Sequence, residues 1–171
     1  FKNITGTGKA VIVVSNTSPI INLAAIGKLE ILQKLYEKIF IPQAVHYEIS
    51  IAGKGEPGAL EIEKLEWIEV KEVTNHKLVK ALQMELDEGE AEAITLAIGL
   101  KAELLLLDER RGRKVASNLG LKFIGLLGVL IEAKRKGIIP SVKSIMDALM
   151  TKAGFWISHQ LYTHVLKVTG E

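Results

Sequence analysis

The sequence has 171 residues, of which 48% are hydrophobic and 25% are charged, and its formal net charge is +2. This composition is ordinary for one globular domain, and the length is sufficient to bury a continuous core. The chain contains no cysteine, which excludes disulfides, cysteine-based zinc sites and thiol catalysis and is compatible with a cytoplasmic protein. The apolar runs are too short to span a bilayer, and the small net charge does not by itself indicate nucleic-acid binding.

From residue 11 onward, short apolar runs alternate with helical patterns. The first run, Val11–Ser15, is rich in β-branched residues and predicts a buried strand; Pro19 then opens a helical stretch that Gly27 divides in two. Further strands are predicted at 39–41, 67–73, 104–107 and 122–124, and further helices at 43–52, 76–86, 88–100, 109–119, 126–136, 141–152 and 156–168. Strands separated by helices predict a doubly wound α/β fold, in which helices cover both faces of a parallel sheet of about five strands.

The chain shows no internal repeat and no sign of a boundary between two domains. Residues 1–10, FKNITGTGKA, do not begin with Met and are interpreted as a leader or vector-derived segment. Residues 11–171 are expected to form a single domain.

Polar and acidic residues follow the predicted strands at one edge of the sheet. Asn16 follows the first strand and Asp108 the fourth, so the two face each other if these strands are neighbours. Glu48, after the second strand, and Glu92, before the fourth, can join them. Clustered carboxylates repel one another, and a hard cation such as Mg²⁺ or Mn²⁺ removes that penalty and can activate water against a phosphate. Each acid taken alone is more simply interpreted as a helix cap or a solvated side chain.

Four segments resemble, in order, the acidic motifs of PIN-domain proteins: VVSNTSPIINLAAIG, IPQAVHYEI, DEGEAEAITLA and LLLLDERRGRKVASNLGLKFIGLLGVLIEAKRKGII. The resemblance extends from about Val11 to the C-terminus and is greatest to a prokaryotic branch akin to the VapC toxins. It implies a three-layer PIN-like fold and a Mg²⁺- or Mn²⁺-dependent endoribonuclease, usually the toxin of a toxin–antitoxin pair. It also implies an RNA substrate, a homodimer and a small antitoxin that binds near the acidic site.

The resemblance assigns catalytic and metal-binding roles by position to Asn16, Glu48, Glu92 and Asp108. Glu90 competes with Glu92 for the third place, and Glu92 is preferred because it precedes Ala-Ile as the family's acid does. Glu90 and Glu92 are two residues apart and project to different sides of a helix, so only one of them should face the site.

Several neighbours of these residues are assigned supporting roles. Glu109 is a weaker candidate for metal binding, and Thr17 and Ser18 can bind the metal's waters or cap the helix that follows. The first acid of the family is Asp, whereas Asn16 brings an oxygen but no charge, so weaker metal affinity is expected. Four basic residues follow Asp108 and are candidates for contacts with RNA phosphates: Arg110, Arg111, Arg113 and Lys114.

Two other functions compete with this interpretation. Asn16 favours a non-catalytic PIN-like module that binds RNA or a protein partner. A phospho-accepting receiver domain also clusters acids at strand ends, but Phe123-Ile124-Gly125 offers no Lys at the end of the fifth strand.

Other patterns carry no functional prediction. The GxGxxG match at Gly53–Gly58 follows a helix rather than a strand, and GTGK at Gly6–Lys9 lacks the spacing of a phosphate-binding loop. The four histidines form no zinc pattern. Three aromatic residues near the C-terminus are better explained by core or dimer packing than by base stacking: Phe155, Trp156 and Tyr162.

Overall fold

Five short strands form one sheet in the structure, a computed structural model that describes residues 11–171. They are β1 Val13–Ser15, β2 Ile39–Pro42, β3 Ile68–Lys71, β4 Leu104–Leu106 and β5 Phe123–Ile124. Their order is β3-β2-β1-β4-β5, and every neighbouring pair is parallel. The predicted doubly wound α/β fold is confirmed. The proposed leader at 1–10 and the match at Gly6–Lys9 lie outside the described residues.

Ten α-helices lie within residues 11–171: α1 Thr17–Ala25, α2 Glu30–Tyr36, α3 Gln43–Tyr47, α4 Glu61–Lys64, α5 His76–Leu82, α6 Glu88–Gly99, α7 Arg110–Asn118, α8 Leu126–Arg135, α9 Val142–Lys152 and α10 His159–Thr169. Gly27 has a left-handed φ of 68° and separates α1 from α2, as predicted. The predicted helix at 43–52 is α3 followed by a π-helical turn, Glu48–Ala52. Helix α10 begins later than predicted because the Ser158 side chain caps it by accepting from Leu161 N. None of these helices is long and apolar enough to cross a membrane.

The central strands β1 and β4 are buried on both faces of the sheet because they are apolar on both sides. Successive side chains of a strand point to opposite faces. Val13 and Leu106 accordingly lie in a core shared with α1, α2, α8, α9 and α10, whereas Val14, Leu105 and Leu107 lie in one shared with α5, α6 and α7. These two layers hold the carboxyl ends of β1 and β4 in fixed positions.

The end of α10 is fixed to the rest of the domain by the carboxylate of Glu171. This carboxylate accepts hydrogen bonds from Ser141 Oγ and Val142 N, both at 2.8 Å, and from Lys143 N at 3.2 Å. It also pairs with Lys134 Nζ at 2.8 Å. The hydrogen bond from the Lys134 ammonium is the main cause that lowers the pKa of Glu171 to about 2. Glu171 therefore joins the C-terminal segment to α8 and to the start of α9.

Glu171→Gln is expected to lower the free energy of unfolding at neutral pH by about 1 kcal/mol, because it removes the ion pair and weakens the cap of α9. A carboxylate whose folded pKa is depressed stabilises the fold above its unfolded pKa, near 4.3, and loses that contribution as the pH falls toward 2. Denaturant unfolding from neutral to acidic pH measures this difference between the native protein and the variant.

The difference should shrink as the pH approaches 2, and a difference that does not change with pH would contradict the assignment. Glu69→Gln is the matched control, because Glu69 forms only surface ion pairs with Lys38 and Lys71. Its effect should remain below about 1 kcal/mol.

Candidate active site

The site lies at the carboxyl edge of the sheet, where β1 and β4 are paired. Ser15 is opposite Leu106 in the register of these strands. The N–H of Asn16, the residue after β1, donates to Leu106 O at 3.0 Å, and Asp108 follows β4 by two residues. The first and fourth strands are neighbours, which is the condition on which the sequence placed Asn16 and Asp108 together, and the two residues therefore share one edge of the sheet.

Asp108 has one engaged carboxylate oxygen and one without a partner. Its Oδ1 accepts from the N–H of Leu126, the first residue of α8, at 2.8 Å and lies 3.8 Å from Arg113 Nη2. Its Oδ2 is buried and has no hydrogen-bond partner among the described residues. Burial raises the pKa of Asp108, and the bond from Leu126 and the charge of Arg113 oppose that rise. The open oxygen is an acceptor that a bound cation can use.

Glu48 and Asn16 approach each other beside the first turn of α6. Glu48 Oε2 accepts from Thr17 Oγ1 at 2.9 Å. A methyl group at Gly89 of α6 would collide with Glu48 Oε1 and would lie 3.6 Å from Asn16 Oδ1. The two side-chain oxygens therefore face the same small space, which exists because residue 89 is glycine. Burial is the main cause that raises the pKa of Glu48.

Glu90, also in the first turn of α6, forms a capping box with Asp87. Glu90 N donates to Asp87 Oδ1 at 2.8 Å, and Asp87 N donates to Glu90 Oε1 at 3.4 Å. The residue is only 7% exposed, and its Oε2 is buried without a hydrogen-bond partner in the part of the chain that the structure describes. Burial, followed by the charge of Asp87, raises the pKa of Glu90 to about 7.

Glu92 lies on another side of α6 and has a different neighbour. Its Oε1 accepts from Ala44 N at 3.0 Å and so satisfies a backbone donor in the first turn of α3. The sequence predicted that only one of Glu90 and Glu92 faces the site and preferred Glu92. Glu90 has a buried oxygen without a partner among the described residues, and this oxygen faces Gly112 of α7, whereas Glu92 holds α3 against α6. The preference for Glu92 as the metal ligand stays a prediction.

Comparison with known proteins gives the family of the domain. A sequence model described as PIN domain matches residues 12–171. The chain belongs to the PIN-domain family. PIN domains are typically nucleases and generally use divalent metals. The match does not assign this PIN domain to the VapC branch, and a search of curated proteins found no match to the chain.

The oxygen donors of this PIN domain fit a hard divalent cation. Within residues 11–171, no three His, Cys, Asp or Glu side chains come together closely enough to enclose a metal ion. Mg²⁺, however, usually keeps several waters and takes only one or two carboxylates together with phosphates of the substrate. Glu90 and Asp108 each have a buried carboxylate oxygen without a partner. Such oxygens are costly to bury as anions, and a cation offsets that cost.

The hydroxyl groups after β1 do not cap α1. Asn16 is the residue before this helix, and no side chain caps it. Thr17 instead donates to Glu48, and Ser18 Oγ accepts from Asn22 Nδ2 at 3.0 Å. Thr17 therefore orients the carboxylate of Glu48.

The four basic residues after Asp108 divide between two grooves. Arg113 donates from Nε to Leu107 O at 2.8 Å, and its guanidinium lies over the Phe123 ring, 5.6 Å from the centroid. These contacts hold it beside Asp108 in one groove. The other three line the adjacent groove together with Asp87 and Glu90: Arg110, Arg111 and Lys114. Glu109, at the start of α7, borders both grooves.

Three of the histidine and aromatic side chains that carry no functional prediction make ionic or packing contacts. His46 pairs with Glu63 at 3.1 Å, while Phe155 and Tyr162 are partly buried against the core. Trp156 is 81% exposed. The expectation of core packing is therefore wrong for Trp156, and packing in a dimer stays a prediction.

Proposed function

We propose that this PIN domain is a metal-dependent endoribonuclease that hydrolyses phosphodiester bonds of RNA. The observation that carries the proposal is the pair of buried carboxylates, Asp108 and Glu90, each with one oxygen that lacks a partner in residues 11–171. Asp108 lies with Glu48 and Asn16 near the carboxyl edge of β1 and β4, which is the usual ligand-binding edge of a parallel sheet. Glu90 follows Gly89 in the first turn of α6, and its Oε2 faces Gly112 of α7.

In this proposal Asp108, Glu90 and Glu48 hold Mg²⁺ or Mn²⁺, directly or through water, and Asn16 is a neutral fourth ligand. The metal would activate water and neutralise charge that develops on the phosphate. Thr17 keeps the Glu48 carboxylate in place through its hydrogen bond. The predicted role of Glu92 has weaker support, because one of its oxygens is engaged at α3.

Basic residues on both sides of the N-terminal part of α7 would bind the RNA backbone. Arg113 is held beside Asp108 by its bond to Leu107 O and by Phe123, and its side chain is 37% exposed. A fixed guanidinium next to the acids can bind a phosphate oxygen and orient the scissile phosphate. Arg110, Arg111 and Lys114 would bind phosphates along the second groove.

The biological role in this proposal is that of a cytoplasmic toxin, paired with a small antitoxin and acting as a homodimer. The support is the resemblance of the four acidic segments to the VapC toxins. Growth arrest on expression, relieved by Asp108→Asn, is the test of that role.

The alternative is a PIN-like module that binds RNA or a protein partner without cutting RNA. Asn16 favours this alternative, because it stands where the family has an acid and is buried, at 5% exposure, beside Glu48. An amide oxygen can bind a cation but brings no charge to hold it.

The purified protein, incubated with a single-stranded RNA, tests the proposal. Fragments should form in Mn²⁺ or Mg²⁺ and not in EDTA. RNA binding with no cleavage in either metal would establish the alternative, and cleavage that persists in EDTA would contradict a metal-dependent reaction.

Gly89→Ala is expected to lower the cleavage rate about tenfold or more, because the new methyl group displaces the Glu48 carboxylate from the space that it shares with Asn16. Gly99→Ala, in the last turn of the same helix, is the matched control, since a methyl group there meets nothing within 4 Å. The control should raise the free energy of unfolding by about 0.5 to 1 kcal/mol and leave cleavage unchanged. Full activity of Gly89→Ala would show that Glu48 is not needed where the structure places it.

A further inference from the structure

A groove of about 730 Å³ begins beside Asp108 and is bordered by the segment between α9 and α10. Its lining includes Asp108 and Arg113, two residues of the proposed active site, and also Trp156 and His164. One groove therefore joins the proposed catalytic acids to an aromatic side chain for which the reaction itself gives no role.

Trp156 is exposed although its neighbours are anchored. The segment that carries it is fixed by Phe155, whose N–H donates to Leu149 O at 3.0 Å and whose ring packs against the core. Ile157 on the other side is only 8% exposed, and Ser158 caps α10. The indole is 81% exposed. A large aromatic side chain held in solvent by a rigid segment is a surface ready to pack against a flat ligand.

The position of the groove indicates the chemistry of that ligand. Arg113 offers a fixed positive charge beside Asp108, and Glu109 lies in the same lining. The rest of the lining is largely apolar, and Arg113 is accompanied there by the acids Asp108 and Glu109, so the charge of the groove does not by itself identify the ligand. The position of the groove does: it opens at Asp108 of the proposed active site, and an exposed aromatic face beside such a site is the kind of surface on which a base of single-stranded RNA stacks. This continuity favours the RNA substrate over a second copy of the chain.

We infer that this groove binds a single-stranded stretch of the RNA substrate, with one base stacked on Trp156 and a neighbouring phosphate near Arg113. The inference rests on the proposed nuclease function and assigns the path by which the substrate reaches Asp108. Trp156 acts here as a binding residue that positions the RNA.

Binding of a fluorescently labelled single-stranded RNA of about ten nucleotides tests the inference, with fluorescence anisotropy measured in EDTA so that no cleavage interferes. Trp156→Ala should weaken binding about tenfold, and Trp156→Phe, which retains an aromatic face, should weaken it by less than about threefold. Leu60→Ala is the control, because Leu60 directly precedes α4 and its side chain is 73% exposed. This variant should bind RNA as tightly as the native protein does. RNA should also quench tryptophan emission in the native protein and much less in Trp156→Phe.

Equal affinity of the native protein and Trp156→Ala, or no binding by the native protein, overturns the inference. So does a blue shift of Trp156 emission that grows with protein concentration in the absence of RNA, since a second copy would then cover the indole. Metal-dependent cleavage with unchanged affinity in Trp156→Ala would leave the proposed function standing without this inference. Weakened binding in Trp156→Ala with no cleavage in any metal would contradict the nuclease function and leave the RNA path standing.

Discussion

Asp108→Asn is expected to lower metal-dependent RNA cleavage about a hundredfold or more and to leave the fold intact. Loss of a group that merely supports a metal ligand typically costs about ten- to a hundredfold in activity, so the loss of a charged ligand should cost at least as much. Asn keeps an oxygen that can accept from Leu126 N, which preserves the contact with α8. Cleavage rates at saturating Mn²⁺ measure the effect.

Stability separates this effect from damage to the fold. Burial raises the pKa of Asp108, so its ionised form is disfavoured in the folded protein. A carboxyl of this kind stabilises the fold below its unfolded pKa and loses that contribution as the pH rises through its folded pKa. In metal-free buffer at neutral pH, Asp108→Asn should therefore melt no lower than the native protein. Glu69→Gln, which removes only surface ion pairs, should leave cleavage unchanged and alter the free energy of unfolding by less than about 1 kcal/mol. Unchanged cleavage by Asp108→Asn would contradict the proposed site.

Asn16→Asp is expected to have the opposite effect on metal binding. A second charge beside Glu48 attracts a divalent cation by a few kcal/mol at an effective dielectric constant of about 20, which corresponds to at least about tenfold tighter binding. The Mn²⁺ concentration that gives half of the maximal cleavage rate should fall accordingly. If the native protein cuts no RNA and Asn16→Asp does, the native chain is a binding module that lacks one charge.

Asn16→Asp should also destabilise the metal-free protein. Residue 16 is 5% exposed, and an additional buried carboxylate near Glu48 is expected to lower the free energy of unfolding by about 1 to 3 kcal/mol. Mn²⁺ should restore this loss, so the rise of the melting temperature with Mn²⁺ should be larger for the variant than for the native protein. An equal response of both proteins to Mn²⁺ would place residue 16 outside the metal site.

The strands were predictable because their composition is sufficient to identify them. Leu104–Leu107 is apolar at every position, which is typical of a parallel strand covered on both faces, and β4 occupies Leu104–Leu106 with its side chains divided between the two cores. The neighbouring positions of β1 and β4, which place Asn16 and Asp108 at one edge, follow from the doubly wound topology.

The choice between Glu90 and Glu92 was only partly accessible to the sequence. Asp87 and Glu90 have the three-residue spacing of a capping box, which orients Glu90 toward the start of α6, and the sequence contains this signal. The partner of Glu92, the N–H of Ala44, is 48 residues away in the chain. No local pattern predicts such a contact, because it depends on how α3 packs against α6.

The exposure of Trp156 could not be predicted from the local sequence pattern either. Its spacing from Phe155 and Tyr162 suggested one helix with an apolar face. Ser158, two residues after Trp156, caps α10, which begins at His159, so the indole lies in the connecting segment and outside the helix. A serine that ends a connection is a recognised cap signal, but which flanking side chain then points outward is decided by tertiary packing.

Calorimetric titration of Mn²⁺ into the native protein and into Asp108→Asn tests most directly whether the buried carboxylates hold a metal. The native protein should bind Mn²⁺, and the variant should bind it at least about tenfold more weakly. Equal binding by the two proteins, or no binding by the native protein with or without RNA, would contradict a metal site at Asp108.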